Sequence, residues 1–383
     1  PSRPFSFAPG RVNTPRPFPM TAESPSINRQ RRRFGIGLGV GLGAATAVSS
    51  AARAATARVA ANTLPSLVKP RALRTGDLVA LVAPGGVVDD ALIEKGVRNL
   101  ESIGLRVLLA PHLRARHGNF AGTVRERLAD LHALLEHREV TALWALRGGS
   151  GCASLLPHLR YDLIRRQRKI IIGYSDITAL TAAVVRHAGL VCFHGPVASS
   201  TFSEFSVAHL RALLFDAAPQ HVMSLAPENV AQGERNAEFR ARVLRGGTLH
   251  GRLAGGNLSV VAALAGTPYA PVLNGALLFL EEIGEAPYRI DRMLTQLRQG
   301  GALEHAGGIM LGVFRNCSPR DGEASLSLAE TIDEHIGMVD ITSVYGYSFG
   351  HIAHQYTLPV GALATVNPQA ATVTVLEAAT SRD

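Results

Sequence analysis

From Asp77 onward the chain alternates between short apolar runs and amphipathic stretches about three turns long. Runs such as Asp77-Leu78-Val79-Ala80-Leu81-Val82-Ala83, closed by Pro84-Gly85-Gly86, carry apolar residues at consecutive positions and predict strands buried on both faces. Further strands are expected at 106–109, 142–146 and 169–172, and helices at 90–103, 123–137 and 177–185. Strands of this kind alternating with helices describe a parallel sheet covered on both sides. Residues 215–241 break the pattern: they are polar, lack a period and contain Pro219 and Pro227, which reads as a crossing between domains. A second alternation begins near Leu244, with a glycine-rich stretch at 251–256. Helices are expected there at 257–264, 288–297 and 326–335, and strands at 276–280, 309–314, 358–363 and 372–376. The predicted architecture is α/β. A doubly wound, mostly parallel N-terminal domain (70–215) is followed by a linker (216–243) and a smaller C-terminal α/β domain (244–383).

Residues 1–60 stand outside this pattern. The first nineteen are proline-rich, and Met20 is read as the start of translation. Arg31-Arg32-Arg33-Phe34-Gly35-Ile36 resembles a twin-arginine export motif. A Gly/Ala-rich, weakly apolar stretch and small-x-small cleavage candidates near Ala52–Ala57 follow. The apolar run is too short for a stable membrane span. This reading predicts export to the periplasm. It also changes the meaning of the formal charge of +9 over 383 residues. Residues 1–57 hold eight arginines and one acid, Glu23, which leaves +7 there and only +2 for the rest of the chain. A nearly neutral body argues against a nucleic-acid partner. Cys152, Cys192 and Cys317 have no short spacing and form neither a zinc motif nor a disulfide framework, so they are read as buried thiols.

Four constellations carry candidate chemistry. In Gly173-Tyr174-Ser175-Asp176-Ile177-Thr178 an apolar strand runs directly into a helix. A serine at that junction is either a nucleophile on a sharp strand–turn–helix or an ordinary helix cap. The next backbone N–H, that of Asp176, starts a helix and is aimed to meet a developing oxyanion. Arg147-Gly148-Gly149-Ser150-Gly151 also ends a strand, and its glycines fit half an oxyanion hole, a phosphate cradle or a tight turn. It matches neither G-x-G-x-x-G nor a P-loop. Glu281-Glu282 at a strand end are placed to orient a histidine, or to pair on the surface with Arg289 or Arg292. His351, in a loop between Tyr347 and Leu358, is a natural general base. Its spacing to His354 admits a metal, but no third ligand is fixed, so neither metal nor cofactor is expected.

These residues fall in stretches that together resemble the LD-carboxypeptidase family of serine peptidases, from Asp77 to about Val366. The matching segments are Gly76-Asp77 with Val82-Ala83-Pro84, Phe120-Ala121-Gly122, Arg147-Gly148-Gly149, Tyr161-Asp162-Leu163-Ile164, Ile172 through Thr178 and Phe193-His194-Gly195-Pro196. The second half adds Gly255-Gly256-Asn257-Leu258-Ser259, Leu280-Glu281-Glu282, Pro287 through Arg292, and Gly350-His351 with Leu358-Pro359-Val360-Gly361. The resemblance implies two domains with the active site at their interface. It implies Ser175 as nucleophile, His351 as base, Glu281 as orienting acid, and the amides of Gly149 and Asp176 as oxyanion hole. The expected substrate is a murein tetrapeptide losing its terminal D-alanine. Its free carboxylate calls for a cation, with Arg147, Arg289 and Arg292 as candidates. Hydrolysis of microcin-type peptidyl nucleotides on the same triad and a non-catalytic periplasmic binding protein are the alternatives. The acidic pair is Glu-Glu where Glu-Asp is usual in the family, which leaves the choice between Glu281 and Glu282 open. The family's recycling role is cytoplasmic, so a cytoplasmic location is the alternative to export. A homodimer is the expected assembly.

Overall fold

The computed structural model describes residues 64–320 and 322–382, so the segment read as an export leader lies outside the described residues. In chain order the first half forms β1 (Leu78–Val82), α1 (Asp90–Ser102), β2 (Arg106–Leu109), α2 (Val124–Glu136), β3 (Val140–Ala145), α3 (Tyr161–Gln167), β4 (Ile170–Ile172), α4 (Ile177–Ala188), β5 (Cys192–His194) and α5 (Glu204–Leu214). Next come β6 (His221–Ser224), α6 (Pro227–Gly233), β7 (Arg242–Arg245), β8 (Leu249–Asn257), α7 (Leu258–Leu264), β9 (Leu277–Ile283) and α8 (Pro287–Gln299). The chain closes with β10 (Gly308–Arg315), α9 (Leu328–Gly337), β11 (Ser343–Tyr345), β12 (Leu358–Val360), β13 (Leu363–Asn367) and β14 (Thr372–Val375).

The first sheet runs β12-β5-β4-β3-β1-β2, and β1 to β5 are mutually parallel. Strand order reverses between β1 and β3, where the crevice at the strands' carboxyl ends is the usual ligand position in such sheets. The loops after β1, β3 and β4 therefore leave the same edge side by side. Buried Arg127 ties the first two together, donating to the carbonyls of Pro84 (2.6 Å), Gly151 (3.0 Å) and Gly122 (3.2 Å).

The second sheet runs β6-β14-β13-β8-β9-β10-β11-β7. Its centre, β8 to β11, is parallel and its flanks are antiparallel. Residues 216–243, expected as a bare crossing, contain β6, α6 and the start of β7, so they supply both edge strands of this sheet. From beyond the expected linker, β12 returns to the first sheet, antiparallel to β5. One apolar core joins the two sheets, from Trp144, Ile172 and Phe193 to Leu253, Phe279 and Met310. Among the described residues no helix is long and apolar enough to cross a membrane.

Candidate active site

Ser175 sits between β4 and α4 with a φ of 64°. A non-glycine residue in the left-handed region costs about 1–3 kcal/mol and is held there only when its surroundings over-determine it. The cap alternative fails. Asp176 occupies the N-cap position but makes no cap bond, and its Oδ2 instead accepts from the Cys152 amide at 2.9 Å. Among the described residues Ser175 makes no side-chain hydrogen bond. The turn thus lifts a free hydroxyl from the sheet edge, with the first amides of a helix behind it.

The glycine run after β3 packs against this turn. A Cβ on Gly148 would lie 2.6 Å from Ser175 Cβ, 2.8 Å from Ser175 Oγ and 3.2 Å from the Asp176 amide nitrogen, so only glycine fits. Gly149, at φ 107°, is the next residue out and is solvent-exposed. The run is braced from behind by the loop after β1, through Gly86 N–H donating to the Gly148 carbonyl at 2.9 Å. Gly148 thus lies against the Asp176 amide, and Gly149 packs against Gly86 of the loop after β1.

Glu281 and His351 come from the second sheet. Glu281 is fully buried, and its Oε2 lies 2.7 Å from His351 Nδ1. The loop carrying His351 is pinned to β10, because Tyr347 N–H donates to the Leu311 carbonyl (3.2 Å) and Val313 N–H to the Phe349 carbonyl (3.0 Å). Burial pushes the Glu281 carboxyl up, yet the adjacent His351 charge and hydrogen bond outweigh it and hold it below the usual carboxylate range. Burial pushes His351 down, and the Glu281 charge and hydrogen bond overcome that too, raising the imidazole above its ordinary value. The ring of Tyr174, the residue before Ser175, meets the imidazole edge-on at 4.8 Å, and among the described residues no hydrogen bond joins His351 to Ser175. His194, also buried nearby, behaves oppositely: burial drives it down to about 4, so it is neutral at physiological pH.

Glu282 is engaged elsewhere. It accepts from Asn257 Nδ2 (2.9 Å), the Ser259 amide (2.8 Å) and the Ile283 amide (2.9 Å). Asn257 caps α7 and donates its backbone N–H to Thr178 Oγ1 at 3.0 Å, close to Gly256, where a Cβ would meet that oxygen at 2.4 Å. A continuous polar chain therefore runs from the first turn of the serine helix to the residue beside Glu281.

Among the described residues none of the three candidate cations hydrogen-bonds or ion-pairs with Ser175, Glu281 or His351. Arg147 donates to the Val87 carbonyl (3.2 Å). Arg289 pairs with Glu285 (3.3 Å) and stacks, as Arg292 does, on exposed Tyr288. His354 faces Glu228 at 3.7 Å, and among the described residues no three His, Cys, Asp or Glu side chains are grouped to hold a metal. All three cysteines are free and buried. The residues of the polar chain and Tyr174 carry no chemical signature of their own in the sequence, although each lies in a segment that carries the family resemblance. Arg315, which donates to the His351 carbonyl at 3.1 Å, lies in none of them.

Comparison with known proteins shows the family of the chain. Residues 79–195 match the LD-carboxypeptidase N-terminal domain and residues 250–366 the LD-carboxypeptidase C-terminal domain. The chain is 37% identical over 313 residues to the probable murein peptide carboxypeptidase of Bacillus subtilis (strain 168), covering 82% of this chain and 95% of that one. It is 35% identical over 295 residues to the murein tetrapeptide carboxypeptidase of Pseudomonas aeruginosa, covering 75% and 92%. The crystal structure of muramoyltetrapeptide carboxypeptidase from Oxalobacter formigenes superposes with a TM-score of 0.66 at 29% identity, covering 78% and 97%. The two-sheet α/β protein described here belongs to the LD-carboxypeptidase family of serine peptidases.

Proposed function

We propose that the enzyme removes the terminal D-alanine of murein tetrapeptides by acyl transfer through Ser175, His351 and Glu281. The observation that carries this reading is the pairing of a fully buried carboxylate with His351 at 2.7 Å, beside a serine held at φ 64° on a strand–turn–helix. His351 Nε2 accepts the Ser175 proton as Oγ attacks the carbonyl before D-alanine. Glu281 holds Nδ1 protonated and stabilises the imidazolium. The amides of Gly149 and Asp176 receive the oxyanion, Asp176 with the aid of the α4 N-terminus. Collapse breaks the C–N bond as the imidazolium gives its proton to the leaving amine. Water, deprotonated by the same imidazole, then hydrolyses the ester and returns Ser175 to its hydroxyl form.

The twin-arginine segment supports action on the periplasmic side, and a homodimer is the proposed assembly; fractionation of cells with and without Arg31–Arg33 and light scattering test the two. The chemistry is tested by mass spectrometry of a murein tetrapeptide before and after incubation. Loss of one alanine is expected with wild type, and a fall of several orders of magnitude with Ser175→Ala. Wild-type turnover of an aminoacyl-adenylate analogue with the tetrapeptide left intact, or release of D-alanine by Ser175→Ala at the wild-type rate, would overturn the reading.

A further inference from the structure

We propose that Arg315 anchors the free terminal carboxylate of the substrate and so makes the enzyme a carboxypeptidase. The inference rests on the peptide-acid reading above and extends it to a residue outside every segment that carried the family resemblance.

Arg315 is the last residue of β10, and its register partner in β9 is Ile283, two residues beyond Glu281. Its backbone is fixed from both sides. The Arg315 carbonyl accepts from the Gly284 amide at 2.9 Å. The following residue, Asn316, takes a left-handed φ of 54°, and the amides of Asn316 and Cys317 donate to buried Glu238 at 2.9 and 3.0 Å. From this clamped strand end the exposed side chain reaches the loop of the base, with Nη1 3.1 Å from the His351 carbonyl oxygen.

That contact uses one of five guanidinium N–H groups. Among the described residues no carboxylate lies within ion-pair distance of Arg315; the same holds for Arg147 and Arg292, but of these cations only Arg315 bonds to the His351 loop, and Arg289 is already paired with Glu285. A lone cation beside a general base works against catalysis, because it disfavours the imidazolium that forms in the transition state. The Arg315 charge does push His351 down, against the larger effect of Glu281. An arriving carboxylate removes that opposition. The stereochemistry fits such an anion. The leaving amine must meet His351 to receive its proton, and in a peptide acid the carboxylate is attached one carbon beyond that nitrogen. A planar guanidinium fork at the His351 backbone, near enough for its charge to act on the imidazole, suits it, by two parallel charge-assisted hydrogen bonds. A peptide amide would leave the cation uncompensated and one donor facing an NH2 group. Binding and proton transfer would thus both favour the free acid.

The test compares a tetrapeptide acid with its C-terminal amide, using the full chain. Dissociation constants are measured on Ser175→Ala, which leaves both ligands uncut, alone and combined with Arg315→Gln or Arg315→Lys. The Ser175→Ala protein is expected to favour the acid, and Arg315→Gln to reduce that preference about 10- to 100-fold, chiefly by weakening the acid. Arg315→Lys should restore part of it, as a point charge without the fork. If Arg315→Gln weakens acid and amide equally, or leaves the preference intact, Arg315 only braces the His351 loop and the inference is wrong. D-alanine release by the parent enzyme, measured alongside, separates this failure from that of the peptide-acid reading: release with an unmoved preference sinks the anchor alone, and no release sinks both.

Discussion

Replacing Glu281 by glutamine keeps the shape of the pair and removes its charge. The carboxylate is fully buried and its Oε2 lies 2.7 Å from His351 Nδ1. With charge centres about 4 Å apart and an effective dielectric constant near 20, the attraction it offers an imidazolium is about 4 kcal/mol. That equals about three decades in rate. An amide can also turn its NH2 toward Nδ1 and select the wrong tautomer, which extends the loss to about four decades. Glu281→Gln is therefore expected to lower kcat about 10^3- to 10^4-fold, with the fold intact by circular dichroism. The pH profile supplies an independent readout. In the wild type the base must be neutral, so kcat/KM falls as pH drops through the raised His351 value. In Glu281→Gln burial remains while the opposing charge is gone, so the residual activity should extend to lower pH. Glu282→Gln is the control. A single amide oxygen cannot serve the Asn257, Ser259 and Ile283 donors together, so its cost falls on stability, about 1–3 kcal/mol, with a far smaller loss of kcat. A Glu281→Gln enzyme keeping more than a tenth of its kcat, or an acid limb that stays in place, would refute the assignment.

Gly148→Ala must push a methyl group to within 2.6 Å of Ser175 Cβ, so activity should fall at least about 100-fold, because small displacements of reacting groups are that costly; steady-state kinetics reads it. Trp144→Ala empties a fully buried site and orphans the Pro196 carbonyl that Nε1 reaches at 2.9 Å, and denaturant unfolding should show a loss of about 3–5 kcal/mol. The Glu281–His351 pair adds a pH-dependent contribution to folding. The lowered carboxyl stabilises above its ordinary value of 4.5, and this is lost as pH falls through its native value. The raised imidazole stabilises below 6.5, and this is lost as pH rises through its native value. Wild-type stability relative to Glu281→Gln should then be greatest between these limits, measured by unfolding at a series of pH values.

The strands that could be located from the sequence are those whose burial is written locally. β1, β3, β4 and β10 carry apolar residues at consecutive positions because both faces of their sheets are covered, by helices and by the core that joins the two sheets. β5 and β11 are as short as β4, but their three residues are of mixed type, Cys-Phe-His and Ser-Val-Tyr, without the all-isoleucine run that marks β4. β6 and β7 are edge strands with alternating or half-exposed residues in a segment whose prolines and charges read as a connection. The return of β12 to the first sheet is non-local. Its three residues are apolar in either sheet, and only the path of the whole chain decides which one they join.

The site divides along the same line, and the acidic pair shows why. Residue types were legible for Ser175, Gly149, Glu281 and His351, but the partnership between residues 281 and 351 spans two strands and two helices. The choice between Glu281 and Glu282 was obscured by an element boundary. A strand ending at Leu280 would place both carboxylates in a loop, where either can turn toward the histidine. β9 instead continues to Ile283, with Asn257 paired to Glu281 and Phe314 to Glu282. Successive residues of a strand project to opposite faces, so once the ladder extends that far the two carboxylates are committed to different neighbours. Glu281 faces the His351 loop, and Glu282 faces Asn257 and the start of α7. The same pleat therefore separates the two tasks, one carboxylate on the base and one joining the acid strand to the serine helix through Asn257 and Thr178. A substitution that slipped the β9 register by one residue would bring Leu280 or Ile283 into one of the two places, so one of the two tasks would lose its carboxylate.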